Sequence, residues 1–214
     1  MSDALNLAGR LAPWFGIVKV GYELYAAAGP TAFESLRDKG FRVFADLKFH
    51  DIPTTVERGA REVGRHGVDF LNFHAAGGED MLRAGMTGLV EGAEEAGFAR
   101  PIGLGVTVLT SDPDTSALDA RMQVARAAEV DGVVCAGTDV ERAREYGLRT
   151  MVPGIRLAGG AAHDQARIDT PDDAISRGAD WLVIGRAVTA ADDPEEAAIT
   201  VTRAVGDALS HCAD

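Results

Sequence analysis

The chain has 214 residues, 46% of them hydrophobic, and 33 acidic against 21 basic side chains give it a net charge of −12. That acidity argues against binding the phosphate backbone of nucleic acid, which needs a basic face. No apolar run approaches the roughly 18–20 residues that cross a bilayer, and "MSDALNLAGRLAPW" lacks the basic-then-apolar plan of a signal peptide, so no membrane contact and a cytoplasmic location are expected.

The length suits one large α/β domain, and no linker or low-complexity stretch divides it, so residues 1–214 are expected to form a single domain. Taken in order, "SDALNLAGRLAPW" has helical spacing, and the apolar run "FGIVKVG" follows it. Next come "TAFESLRDKG" with helical spacing, "FRVFADLK" as a strand, "TTVERGAREVGRHG" as a helix and "VDFLNFHA" as a strand. "EDMLRAGMTGLVEGAEEAG" is helical again, and "IGLGVTVL", "VDGVVCAG", "TMVPGI" and "DWLVIG" complete the strands. Strands apolar on both faces that alternate with helices imply a parallel sheet covered by helices. Seven such strands are one short of a (β/α)8 barrel of the TIM type, because the chain opens on a helix, and an open doubly wound sheet stays as the alternative. Cys135 and Cys212 are too far apart in sequence for a metal knuckle and read as a buried thiol and a tail thiol.

Only three lysines occur, Lys19, Lys39 and Lys48, against eighteen arginines. Lys39, in "RDKG", suits a helix end, where a cation meets the last carbonyls. Lys19 and Lys48 fall at the ends of the first two strands, where parallel α/β folds build active sites. In "FADLKFHDIP" Asp46 and Lys48 are two apart and share a face if the strand persists, while Asp51 follows in the loop. Burying these charges is costly unless they satisfy one another, and Lys19, Asp46, Lys48 and Asp51 make an array of two positive and two negative groups. Each sign then favours the ionised form of the other. Asp51 also fits a turn-shaping role, and Thr54 followed by Glu57 reads as a capping box for the next helix.

Near the C-terminus "DWLVIGRAV" runs from a strand through Gly185 and Arg186 into a short helical pattern, a place where backbone amides attract an anion. The segment "VPGIRLAGGAAHDQAR" adds Arg156, the Gly159-Gly160 pair and Gln165, with the small residues of a loop that closes over a substrate. Together they point to a phosphate. The histidines show no metal-ligand spacing, and His50 and His74 read as hydrogen-bonded residues near strand ends.

The segments "KVGYEL", "AAGP", "DLKFHDIPTTV", "GVTVLTS", "PGIR", "DQAR" and "VIGRAV", in this order over nearly the whole chain, resemble the orotidine 5'-phosphate decarboxylase family. The resemblance implies a (β/α)8 barrel that acts as a homodimer and converts orotidine 5'-phosphate to UMP and CO2 in pyrimidine biosynthesis, with no metal or cofactor. It makes Lys48 the ammonium that stabilises the C6 carbanion and protonates it, and it sets Asp46 against the substrate carboxylate. Lys19 then holds the charge network and contacts ribose, while Asp51 and Thr55 reach into the neighbouring subunit's site. Thr110 and the backbone around Pro153 resemble the pyrimidine contacts, Gln165 bridges base and phosphate, and Arg156, Gly185 and Arg186 grip the phosphate.

Two departures stand out. The family begins with a strand ending in an Ala-Leu-Asp-like segment, and Met1 aligns after it; Asp3 falls at the start of the first helix and does not replace that aspartate. The expectation is that the natural start lies upstream of Met1. His163 stands where a small residue is usual. Two alternatives remain: a magnesium-dependent sugar-phosphate decarboxylase or hexulose-phosphate synthase of the same suprafamily, against which Lys19 argues because its position looks to be a glutamate metal ligand there, and a phosphate-ligand binding barrel without activity.

Overall fold

Strand and helix alternate along the chain in the computed structural model, which describes residues 1–156 and 169–212. In chain order the elements are α1 (Ser2–Leu11), β1 (Ile17–Val20), α2 (Tyr22–Ala28), α3 (Thr31–Arg37), β2 (Arg42–Phe49), α4 (Pro53–Arg65), β3 (Phe70–His74), α5 (Glu79–Glu95) and β4 (Ile102–Val106). They continue with α6 (Leu118–Ala127), β5 (Gly132–Val134), α7 (Val140–Glu145), β6 (Arg149–Pro153), α8 (Pro171–Ser176), β7 (Trp181–Val183), α9 (Arg186–Thr189) and α10 (Pro194–His211). Each of the seven apolar runs forms a strand, and among the described residues the element before β1 is the helix α1.

The chain divides into two compact units, one of residues 1–106 with 124–131 and the other of residues 107–123 with 132–214. In the first, β1 to β4 lie side by side and all parallel, with Val20 opposite Ala45, Ala45 opposite Leu71 and Leu71 opposite Gly103. In the second, β5, β6 and β7 are parallel in the same sequential order. Within each unit the order never reverses, as it must at the switch point of a doubly wound sheet, and neighbours in sequence are neighbours in space as in barrel folds. Phe44 and Ala45 on β2 and Phe70, Leu71 and Phe73 on β3 are all buried, which explains why apolar residues occupy both faces of these strands.

Helices α4 and α5 approach so closely that glycine is required where they meet. A Cβ at Gly88 would lie 2.0 Å from the Glu57 carbonyl oxygen, and one at Gly92 the same distance from that of Arg61. Any side chain there would force the helices apart. Salt bridges from Arg61 to Glu91 and Glu95 and from Arg65 to Glu95 run along the solvent side of this pair.

At the N-terminal strand ends one device recurs. Asp69 accepts the backbone N–H of Val43 at 2.8 Å and pairs with Arg42, Asp131 accepts that of Gly103 and pairs with Arg100, and Asp180 accepts that of Thr150 and pairs with Arg149. Each aspartate stands just before a strand and pins the start of the strand preceding it, so neighbouring strands are held in register at their N-terminal ends.

The start of α4 corrects one expectation. Ile52 is the N-cap, with no side-chain cap bond, and Pro53 is the first helical residue. The fixed φ of proline suits that position and starts the helix before Thr54, which therefore lies inside it, so Thr54 and Glu57 form no capping box.

Candidate active site

The first unit brings three of the four expected charges together. Lys48 Nζ donates to Asp46 Oδ1 at 2.6 Å, and Lys19 Nζ, on the neighbouring strand, lies 3.2 Å from Asp46 Oδ2. One carboxylate thus holds two ammonium groups, one on each oxygen. The Asp46 side chain is 15% exposed, Lys48 27% and Lys19 37%, so the array sits at the margin of the core with both cations open to solvent. A Cβ at Gly21 would come within 3.3 Å of Lys19 Nζ, so that glycine leaves room for the ammonium.

Burial of Asp46 pushes its carboxyl up, but the charges of Lys19 and Lys48 and the hydrogen bonds from Lys48 and Asn72 together outweigh it. Its pKa therefore ends below the ordinary carboxylate value.

Strand β2 does not persist regularly through this stretch. Ala45 pairs with Leu71 and Phe49 with Phe73, so four steps along β2 span two along β3, and Lys48 adopts the left-handed region at φ 44°. Such a conformation in a residue with a side chain costs about 1–2 kcal/mol and re-aims the chain locally. Hence Asp46 and Lys48 meet through a bulge instead of standing side by side on one pleated face. The bulge removes backbone groups from the sheet ladder, and side chains satisfy two of them. The Lys48 N–H donates to Asn72 Oδ1 at 2.7 Å, and the Leu47 carbonyl accepts the Tyr22 hydroxyl at 2.7 Å.

Asn72 was not among the expected site residues. It is fully buried on β3, and its Nδ2 also donates to Asp46 Oδ1 at 2.7 Å. Its signal was a lone amide inside the apolar run "VDFLNFHA", where a polar group needs partners.

Asp51 stands apart from this array. It is exposed, and its Oδ1 accepts the backbone N–H of Ile52 at 2.6 Å, which is the turn-shaping role. Ile52, Pro53, Thr54 and Thr55 are exposed as well. His50 and His74 pack ring against ring, with centroids 5.4 Å apart.

In the second unit the expected phosphate residues occupy the C-terminal ends of two paired strands. Pro153 ends β6 opposite Val183 of β7, and Gly185 is the N-cap of α9, its carbonyl accepting the N–H groups of Val188 and Thr189. Arg186 is exposed at the first helical position. Arg156, in contrast to a surface arginine, is buried, and its Nη1 donates to the Ile155 carbonyl at 2.9 Å. Thr110 is half-buried in the turn after β4. Gln165, His163 and the Gly159-Gly160 pair lie outside the described residues. Cys135 is buried and Cys212 exposed at the end of α10.

Parallel strands in barrel order, with a lysine–aspartate–lysine array at their C-terminal ends, define the class: α/β barrel enzymes, whose chemistry is built on that face. The chain belongs to the orotidine 5'-phosphate decarboxylase / HUMPS family, whose model matches residues 1–201. An orotidine 5'-phosphate decarboxylase of Nitratidesulfovibrio vulgaris is 46% identical, over 91% of this chain and 88% of that protein. One from Moorella thermoacetica is 43% identical, over 90% and 83%. Among solved structures, orotidine 5'-phosphate decarboxylase from Lactobacillus acidophilus superposes with a TM-score of 0.76 at 32% identity, covering 88% of this chain and 86% of the other. That from Pyrococcus horikoshii gives 0.75 at 26% identity, covering 96% and 94%. The fold is accordingly a TIM-type α/β barrel.

Proposed function

We propose that this protein is a carboxy-lyase that converts orotidine 5'-phosphate to UMP and CO2 in pyrimidine biosynthesis, using its own side chains alone. The observation that carries the mechanism is the Lys48 ammonium, held 2.6 Å from a carboxylate that a second lysine also binds. When the bond from C6 to the carboxylate breaks, CO2 departs and the electron pair stays on C6 as an unconjugated carbanion. A cation already fixed beside that carbon lowers the barrier, because no solvent has to reorganise as charge develops. Lys48 then gives its proton to C6, a C–H bond replaces the C–C bond, and the amine regains a proton from water. Asp46, ionised and facing the substrate carboxylate, adds a repulsion that is relieved as CO2 leaves.

On the resemblance to the family, Lys19 contacts ribose, and Thr110 and the Pro153 backbone contact the pyrimidine. Gln165, Arg156, Gly185 and Arg186 hold the phosphate, whose binding energy can serve the reacting carbon at a distance. Residues 1–214 act as one catalytic domain, in the cytoplasm, where a charged nucleotide that cannot cross a membrane is made and used.

The direct test follows the loss of pyrimidine absorbance with orotidine 5'-phosphate, with and without EDTA. Turnover unchanged by EDTA is expected; turnover that EDTA abolishes would overturn the metal-free mechanism, and no turnover in either condition would favour a sugar-phosphate enzyme or a binding barrel.

The same reading makes the protein a homodimer in which Asp51 and Thr55 serve the partner's site. It is supported by the exposure of Asp51 through Thr55, including an Ile52 that is 65% exposed. Co-expressing Lys48→Ala with Asp51→Ala subunits, each inactive alone, should restore about a quarter of wild-type activity, because random pairing leaves one intact site in half of the dimers. No recovery in verified mixed dimers would place Asp51 in its own subunit's site.

A further inference from the structure

We infer that Asn72 is a positioning residue that sets the Lys48 ammonium, one amide holding both the main chain of Lys48 and the carboxylate to which its side chain is bound. The inference rests on the reading of Lys48 as the group that acts at C6. It starts from the strand: Asn72 is 0% exposed, so each polar atom it buries needs a partner. Both of its hydrogen-bond partners belong to the bulge. Its Oδ1 accepts the Lys48 N–H and its Nδ2 donates to Asp46 Oδ1, each at 2.7 Å. The amide orientation is unambiguous, since flipping it would set donor against N–H and acceptor against carboxylate.

The consequence is geometric. Lys48 sits in the left-handed region, a conformation that persists only where the surroundings over-determine it. The bond from its N–H to Asn72 fixes that backbone from one side. From the other, Asp46 Oδ1 takes both the Asn72 amide and Lys48 Nζ, while Oδ2 faces Lys19. Three donors therefore fix the plane of the carboxylate, and that plane fixes where Nζ stands. A leucine of similar volume would leave the Lys48 N–H and one carboxylate bond unmet, and the bulge free to relax. Asn72 touches no reacting atom in this scheme, so its effect belongs in kcat and not in substrate affinity.

Two variants separate this from a packing role. Asn72→Asp keeps an acceptor for the Lys48 N–H but has no donor for Asp46, and sets a second carboxylate against it; Asn72→Leu keeps volume and loses both bonds. For each, kcat should fall about 100-fold, as for an ammonium displaced by about 1 Å, with KM and the Kd for UMP within about threefold of wild type. Folded variants that retain kcat within about threefold, or lose activity through KM alone, would overturn the inference. If circular dichroism shows either one unfolded, Asn72→Ser, a smaller change, decides by the same split. Lys48→Ala measured alongside distinguishes the two levels: if it remains active, the reading of the site fails; if it is inactive while the Asn72 variants are not, only the positioning role fails.

Discussion

Replacing Lys48 with alanine should abolish turnover and leave the protein folded. The two roles assigned to Lys48 rest on one atom: a fixed cation where charge develops contributes about 10²–10³-fold, and a placed proton donor about 10²–10⁴-fold. Losing both at once predicts a fall in kcat of at least about 10⁴-fold, or roughly 5.5 kcal/mol of barrier. The fold should survive, because Asp46 keeps its bonds to Lys19 and Asn72. Alanine is no worse than lysine at φ 44°, and glycine, which adopts that conformation freely, should be equally inactive but melt higher. Single-turnover assays and thermal melts check both halves of this. Turnover within tenfold of wild type in a correctly folded Lys48→Ala protein would remove Lys48 from the mechanism.

The chain order of strands and helices was legible because a parallel strand buried on both faces is apolar at most positions, and such runs stand out between helical patterns. Barrel and doubly wound sheet share that signal, since they differ only in which strands become neighbours; the sequential pairing from β1 to β4 separates them. The aspartates at 69, 131 and 180 were visible in "VDF", "VDG" and "ADW". Their common role was not, because it is a bond to the backbone of the preceding strand, a partner some thirty residues away.

The site divides in the same way. Lys19, Asp46 and Lys48 were conspicuous as charges where apolar residues belong, and scarcity of lysine sharpened the signal. The bulge that joins Asp46 to Lys48 leaves no mark in the sequence, because a left-handed lysine looks like any other. A regular strand would carry the two side chains past the end of the sheet in parallel. The observed register shift turns the main chain instead, and this creates the need for Asn72 and for the Tyr22 hydroxyl on Leu47. Thr54 failed as a cap for a local reason, since Pro53 supplies a helix start of its own.

Asp46→Asn should have the second-largest effect, and its pH dependence tests the electrostatic part of the mechanism. The substitution keeps the shape but removes the charge that both lysines bind, and its amide NH2 must face at least one of the donors that now meet carboxylate oxygen. A fall in kcat of about 10²–10³-fold is expected, because the carboxylate that fixes the Lys48 ammonium is lost. Folding stability at pH 7 should drop by about 1.5–3 kcal/mol, the range for hydrogen bonds to a charged group, with most of it from Lys48 and Asn72 since the more exposed Lys19 is screened. The sign with pH follows from the lowered pKa of Asp46. Its stabilisation is complete above the unfolded carboxylate value near 4 and is lost as the pH falls through the lower value it has in the folded protein. Wild type and variant should therefore differ most at neutral pH and converge below about pH 4 in denaturant titrations. A gap that stays constant, or widens on acidification, would mean that the Asp46 charge does not hold the two lysines in place.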